Sequence, residues 1–225
     1  MSTAVRPGSI VGAHETYASI AEHAIREMIL SGQLLPGARI NEVELSVAFE
    51  ISRGPLREAL QRLIGDGLVV VQKHRGAFVK IFDEAELEDL YSLRIGLELW
   101  AIQEAARKAD DAQLAVLTEM LSSTRAILED DGGEYPRDLD FHRQLVSLAA
   151  APSLVEAHES VLRRIQLART MSSRLPARAR EAVEEHQQVV GALLDGRMDV
   201  AITHLEAHLR ASLSSARSSL HRPLG

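Results

Sequence analysis

From Asp83 nearly to its last residue the chain places apolar side chains three and four positions apart, and this periodicity constrains the fold more than any other feature. Polar caps and breakers cut the run into pieces. Asp83-x-x-Glu86 has the form of a capping box and opens a helix to about Lys108. Asp110 can cap a second helix, to about Asp130, after which DGGEYP (131–136) is a loop. A third helix carries DLDFHRQL (138–145) and ends near Ala151-Pro152. A fourth runs from Ser153 to about Ser173, a fifth from about Ala177 to Leu194, and Asp199 can cap a last one to about Ser218. Helices joined by short connections pack as an antiparallel bundle, here of six or seven members. Abundant Ala and Leu with few aromatics favour the same all-helical reading.

The residues before this run have a different grammar. A loose tail (1–12) precedes a helix over Tyr17–Ser31 that stops at Gly32 and Pro36-Gly37. A second helix fits Asn41–Phe49 with Asn41 as N-cap, and a third fits Arg53–Asp66 with Ser52 as cap and Pro55 tolerated in its first turn. Gly67 ends it. LVVVQ and AFVKI, separated by KHRG, then read as a β-hairpin. Three helices and a hairpin make a winged helix-turn-helix over 13–81, leaving 82–225 to the bundle, and the chain as a whole is mainly α.

Charge separates the same two parts. Residues 1–80 hold nine Lys/Arg and eight Asp/Glu, a net of +1; the remainder is −8, giving −7 in all. The acidic body is a poor match for nucleic acid, which leaves the head as the part that can contact it. The absence of cysteine excludes disulfides and thiolate metal sites and fits a reducing, cytoplasmic setting. The first residues do not read as a signal peptide, and no apolar run is long enough to span a bilayer.

In the head, the short break before the third helix aims its first turn at a major groove. Arg53 can grip guanine with two hydrogen bonds, Gly54 permits close backbone approach, Ser52 and the first-turn amides can hold a phosphate, and Arg57 lies one turn on. Lys73, His74 and Arg75 surround Gly76 at the hairpin tip, within reach of the DNA backbone or minor groove. The alternative is an ordinary αααββ module with solvated arginines.

In the body, Asp138 and His142 stand four apart on one helix face and can converge on a point. His186 and His208 lie on later helices that can return past them. One carboxylate and three imidazoles suit a divalent ion: zinc first, with Ni, Mn, Fe and Co as alternatives. The body has six histidines, and any one of them can be an ordinary core or surface residue. By spacing alone His204 competes with His208, and Asp140 with Asp138. Arg94 falls inside the stripe Leu90, Leu93, Leu97, Trp100, Ala101, so it either snorkels to the surface or stands over the cavity. Arg163, Arg164 and Arg169 are weaker candidates for the same task. An enzyme reading needs an acid/base group beside the metal. Glu185 adjoins His186 but on another face of its helix, so the chain is read as a non-enzyme, with a helical metal enzyme or a constitutive DNA binder with a structural metal as rivals.

PG-x-x-I, E-x-x-L-S-x-x-F, SRGPLREAL-x-RL, GLV and RGAFV, within 36–79, resemble the DNA-binding domain of the GntR family of bacterial transcription regulators. The resemblance implies a homodimer on a two-fold symmetric operator, with Ser52, Arg53, Gly54, Arg57 and the wing near DNA. Phe49-Glu50-Ile51 departs from the frequent Leu-Gly-Val, and Gly54 from a common threonine. LYSLR-x-x-LE (90–98), D-L-D-F-H-R-Q-L, E185-H186 with its following ALLDGRMD, and A207-H208-L209 resemble the all-helical FCD effector domain of the FadR-type subgroup. In that subgroup Asp138, His142, His186 and His208 fall on metal-ligand positions, and Arg94 falls where an arginine meets the carboxylate of a small organic-acid effector. Ala151-Pro152 replaces a common Asn-Pro, which implies altered capping at that helix end.

Overall fold

The computed structural model describes residues 16–129, 139–169 and 176–220. The head contains α1 (Tyr17–Leu30), β1 (Arg39–Ile40), α2 (Glu42–Ala48), α3 (Arg53–Gly65), β2 (Val69–Gln72) and β3 (Gly76–Val79). The body contains α4 (Glu84–Lys108), α5 (Asp111–Glu129), α6 (Leu139–Ser147), α7 (Pro152–Arg169), α8 (Pro176–Leu194) and α9 (Met198–Leu220). No helix among the described residues is long and apolar enough to cross a membrane. The loop expected at 131–136 and the interruption at 172–175 lie outside the described residues.

Local signals explain most boundaries. Asn41 Oδ1 accepts from Val43 N at 3.1 Å and opens α2. Asp83 and Glu86 form the reciprocal capping box of α4. Asp110 Oδ1 accepts from Gln113 N at 2.8 Å while Gln113 Oε1 accepts from Asp110 N at 3.0 Å, the same device with an amide. Three expectations need correction. Ser52 occupies the N-cap of α3 but its side chain makes no capping bond, so Arg53 enters the helix without that support. Asp199 lies inside the first turn of α9 rather than capping it, where its charge favours the helix N-terminus. The wing is three-stranded, not a bare hairpin: β1 pairs with β3 through Arg39↔Phe78 and Ile40↔Ala77, giving the order β1-β3-β2. Two residues are too few to show a period.

The turn between α2 and α3 carries strain. Ile51 N donates to Ser46 O at 3.1 Å and Glu50 N to Val47 O at 3.2 Å, a Schellman closure whose left-handed position is Glu50, φ 55°. That conformation costs a non-glycine residue about 1–2 kcal/mol, against about 0.5–1 kcal/mol for the extra freedom of glycine. Glu50→Gly should therefore raise stability by about 0.5–1 kcal/mol in denaturant unfolding; a loss would show that the Glu50 side chain contributes more than its strain costs.

Head and body share one core. Ile25, Ile29, Leu56, Leu60, Leu63 and Leu68 of the head are continuous with Leu87, Tyr91, Val161 and Ile165 of the body. Arg164 on α7 crosses this seam: its Nε donates to Asp66 O, the C-cap of α3, at 2.9 Å. A second core lies further along the bundle, built from Ile102, Leu117, Phe141, Leu145, Val189, Leu205 and Leu209.

Candidate functional site

The face expected to meet DNA is open. Ser52, Arg53, Gly54 and Arg57 are all exposed along the first turns of α3. Arg57 Nε donates to Glu42 Oε2 at 2.8 Å, which ties α3 to α2 and still leaves the arginine two-thirds exposed. Lys73, His74, Arg75 and Gly76 are exposed at the wing tip. His74 takes φ 62°, Gly76 takes φ 102°, and the Arg75 guanidinium lies 5.5 Å from the Phe78 ring centre. Gly76 faces Arg39: a Cβ there would stand 3.7 Å from Arg39 Nε, which adds another cation beside the wing.

Inside the body, packing of α4 against α6, α7 and α9, and of α8 against α9, gathers a buried polar cluster. His142 of α6, His186 of α8 and His208 of α9 are each no more than 2 % exposed. Their Nε2 atoms form a near-equilateral triangle. His142 to His208 is 3.1 Å, His186 to His208 is 3.1 Å, and His186 to His142 is 3.2 Å. Phe141 stacks on His186 with ring centres 4.0 Å apart, fixing that imidazole from one side.

Two carboxylates settle the tautomers. Glu98 Oε2 stands 2.6 Å from His142 Nδ1, and Glu185 Oε2 stands 2.6 Å from His208 Nδ1. An ionised carboxylate only accepts, so each Nδ1 carries the proton, and in the neutral ring Nε2 presents a lone pair. Burial alone would raise the pKa of Glu98. The Arg94 charge overrides it, with His142 and His158 adding to the effect, and the carboxyl is held well below the usual range. Burial, then the Arg94 charge, pushes His142 down to about 4 despite Glu98, so its ring is neutral at pH 7. Glu185 is likewise lowered: burial opposes ionisation, but hydrogen bonds from His208 and Arg178 outweigh it. With both rings neutral, the 3.1 Å approach of His142 Nε2 to His208 Nε2 sets lone pair against lone pair. A metal ion shared by the Nε2 atoms would turn that repulsion into coordination.

That donor set could hold a divalent ion. Nitrogens each about 2.0–2.2 Å from one ion, at angles between octahedral and tetrahedral, stand roughly 3 Å apart. His142, His186 and His208 are also the group of potential ligand atoms that converges among the described residues. Asp138, the fourth expected ligand, lies outside the described residues. Asp140 does not compete for the place: it is mostly exposed and bound to Arg143 Nη1 at 2.7 Å. His204 is not part of the triangle.

Arg94 does not snorkel. It is fully buried, and its Nε donates to Glu98 Oε1 at 2.6 Å, four residues on along α4. His158 Nε2 of α7 lies 3.0 Å from the same oxygen. The apolar stripe expected around Arg94 is rotated: Leu93 and Trp100 are 51 % and 46 % exposed, while Leu87, Tyr91, Glu98, Ala101 and Ile102 face inward. Three residues of the cluster were not anticipated. Glu98 and His158 were passed over, and Glu185 was expected on another face. The signal that could have found Glu98 is its i, i+4 relation to Arg94 on a face otherwise built of Leu87, Leu90 and Ile102. Arg163 approaches Glu159 at 3.9 Å, and Arg164 serves the seam with the head, so neither lines the triad. Two surface clefts, one beside Arg125 and Arg180 and one at Ala150–Pro152, contain no triad residue; the chemistry of the imidazoles nominates the site, not the shape of the surface.

A winged helix-turn-helix head on an all-helical body with a buried imidazole triad has the architecture of a transcription regulator. The model of bacterial regulatory proteins of the gntR family matches residues 16–79, and that of the FCD domain matches 89–211. The chain belongs to the GntR family, in the FadR-like subgroup with a C-terminal FCD domain. The Nta operon transcriptional regulator of Aminobacter aminovorans is 34 % identical over 184 residues, 81 % of this chain and 86 % of that one. The transcriptional repressor RspR of Escherichia coli strain K12 is 26 % identical over 86 % of each chain. Escherichia coli McbR/YncC superposes with a TM-score of 0.77 at 22 % identity, covering 91 % of this chain and 99 % of that chain, a likeness of fold. The Aminobacter regulator and RspR are named as transcription regulators, not enzymes, and with the family assignment the protein is a DNA-binding regulator and the enzymatic alternative falls away.

Proposed function

We propose that the protein is a metabolite-responsive regulator. A divalent ion, zinc in the first instance, binds His142, His186 and His208, with Asp138 as a fourth ligand and positions left for a small organic acid. The observation that carries this reading is the convergence of three buried imidazole Nε2 atoms 3.1–3.2 Å apart, two of the rings held at Nδ1 by a carboxylate. When bound, the ion supplies a Lewis-acidic centre for carboxylate oxygens. The chain does the rest. Glu98 and Glu185 hold two imidazoles in the ligating tautomer, Phe141 fixes the third ring, and Arg94 offers a buried cation to the effector's carboxylate.

The head works as half of a homodimer on operator DNA, with Ser52, Arg53, Gly54, Arg57, His74, Arg75 and Gly76 as its contacts. Because half-sites stand a fixed distance apart, a small change in the spacing of two heads alters affinity. A coupling of ~1–3 kcal/mol is enough to regulate. The shared core and the Arg164 contact to the end of α3 give the bundle a mechanical path to the reading helix. The test is operator affinity measured by fluorescence anisotropy with metal-loaded and chelated protein, across a panel of small carboxylic acids. Dependence on both metal and acid is expected; affinity indifferent to both would leave a constitutive DNA binder.

Arg94 can be probed without leaving Glu98 bare. Removing one member of a buried ion pair costs about 3–5 kcal/mol, so alanine would damage the fold. Arg94→Lys keeps the charge and loses the planar fork. It should retain metal and shift the effector dose curve by roughly ten-fold or more, the worth of one charge-assisted bond. An unchanged dose curve would reject Arg94 as the carboxylate's partner.

A further inference from the structure

Glu98 joins three side chains through its two carboxylate oxygens. Its Oε2 meets His142 Nδ1 at 2.6 Å, while its Oε1 takes Arg94 Nε at 2.6 Å and His158 Nε2 at 3.0 Å. It is completely buried on α4, whereas its partners lie on α4, α6 and α7. Glu185 plays a similar but looser part. Its Oε2 receives His208 Nδ1 at 2.6 Å and Arg178 Nη2 at 2.8 Å, and its side chain is 31 % exposed. Each carboxylate binds the nitrogen of an imidazole remote from the triangle, so neither is placed to be a ligand. Each sets which nitrogen keeps its proton, and which way the ring points.

We propose that Glu98 is the principal positioning residue of the metal centre, with Glu185 as its weaker counterpart. The inference rests on the triad's holding a divalent ion. A carboxylate behind a ligating histidine fixes the tautomer and makes the other ring nitrogen a better donor. Glu98 does this through a water-free contact, and its own orientation is locked by Arg94 and His158. The freedom lost when the metal binds is therefore already lost in the folded chain. Glu185 faces solvent in part, so its carboxylate can be replaced there by water and its influence is smaller.

The experiment uses the full chain stripped with a chelator and titrated with Co2+ alone, read by its visible ligand-field bands, and with Zn2+ against a chromophoric competitor. Glu98→Gln keeps the shape and removes the charge. Because it leaves Arg94 without its countercharge, the paired variant Arg94→Met/Glu98→Gln is measured beside it, with Glu185→Gln as a third. The wild type should take up one Co2+ per chain. The Glu98 variants that fold should bind Zn2+ about 10–100-fold more weakly and show altered Co2+ bands, with Glu185→Gln at the low end of that range. Wild-type affinity and bands in the folded double variant would overturn the role, whatever happens to its melting temperature, since a purely structural carboxylate moves the latter alone. A wild type that takes up no Co2+ would remove the metal reading itself, and the positioning role with it.

Discussion

Replacing His142 with alanine should abolish the stabilisation that a divalent metal gives this protein. A ligand at a thousand times its dissociation constant stabilises the folded chain by about 4 kcal/mol. For a chain of this size that corresponds to a melting temperature higher by roughly 8–15 °C. Wild-type protein scanned with Zn2+ and again with chelator should show this difference; His142→Ala should show almost none. The reason is geometric. His142 supplies one corner of the nitrogen triangle, and its neighbours at 3.1 and 3.2 Å cannot close on an ion without it. The variant should also melt earlier in chelator, because Glu98 loses one of its three partners inside the protein. The difference between the two scans isolates the metal. An undiminished difference would take His142 out of the site.

Arg53→Ala should weaken operator binding roughly five- to hundred-fold, the loss of about 1–3 kcal/mol expected when a bidentate base contact is removed. Arg53 is exposed in the first turn of α3 and makes no contact that the fold depends on, so the thermal unfolding curve should stay where it is. The measurement is anisotropy against an operator fragment selected from genomic DNA, at one fixed salt concentration, since affinity for DNA is strongly salt-dependent. Arg57 is a less clean probe, because its bond to Glu42 also ties α2 to α3. Undiminished affinity in Arg53→Ala would mean that another part of the head reads the bases.

The head was legible because breakers and caps punctuate it. Gly32, Pro36-Gly37, Asn41 and Gly67 mark its helix ends in single residues. What was hidden there had no period to display. β1 is two residues long and exists only because β3 offers it an edge. Glu50 in a left-handed turn cannot be read from its own chemistry, though its place in a motif that often carries glycine points to it.

The candidate metal site was legible in its histidines and opaque in what holds them. Imidazoles on three helices are unusual enough to notice. Arg94 and Glu98, four apart on a helix, look like any surface ion pair. What buries them is the arrival of α6 and α7, a tertiary fact. The same fact rotates the buried face of α4, leaving Leu93 and Trp100 outside. Glu185 precedes His186 and is turned about 100° from it around α8, yet its long side chain still reaches His208 on α9, so the helical direction of a backbone position misjudged where its carboxylate ends.

The most direct test is a crystal of the full chain grown with Zn2+ and measured on both sides of the zinc absorption edge. The account predicts one anomalous peak per chain, about 2.0–2.2 Å from the Nε2 atoms of His142, His186 and His208. A peak bound elsewhere, or these three rings turned apart with the anomalous map flat between them, would contradict it.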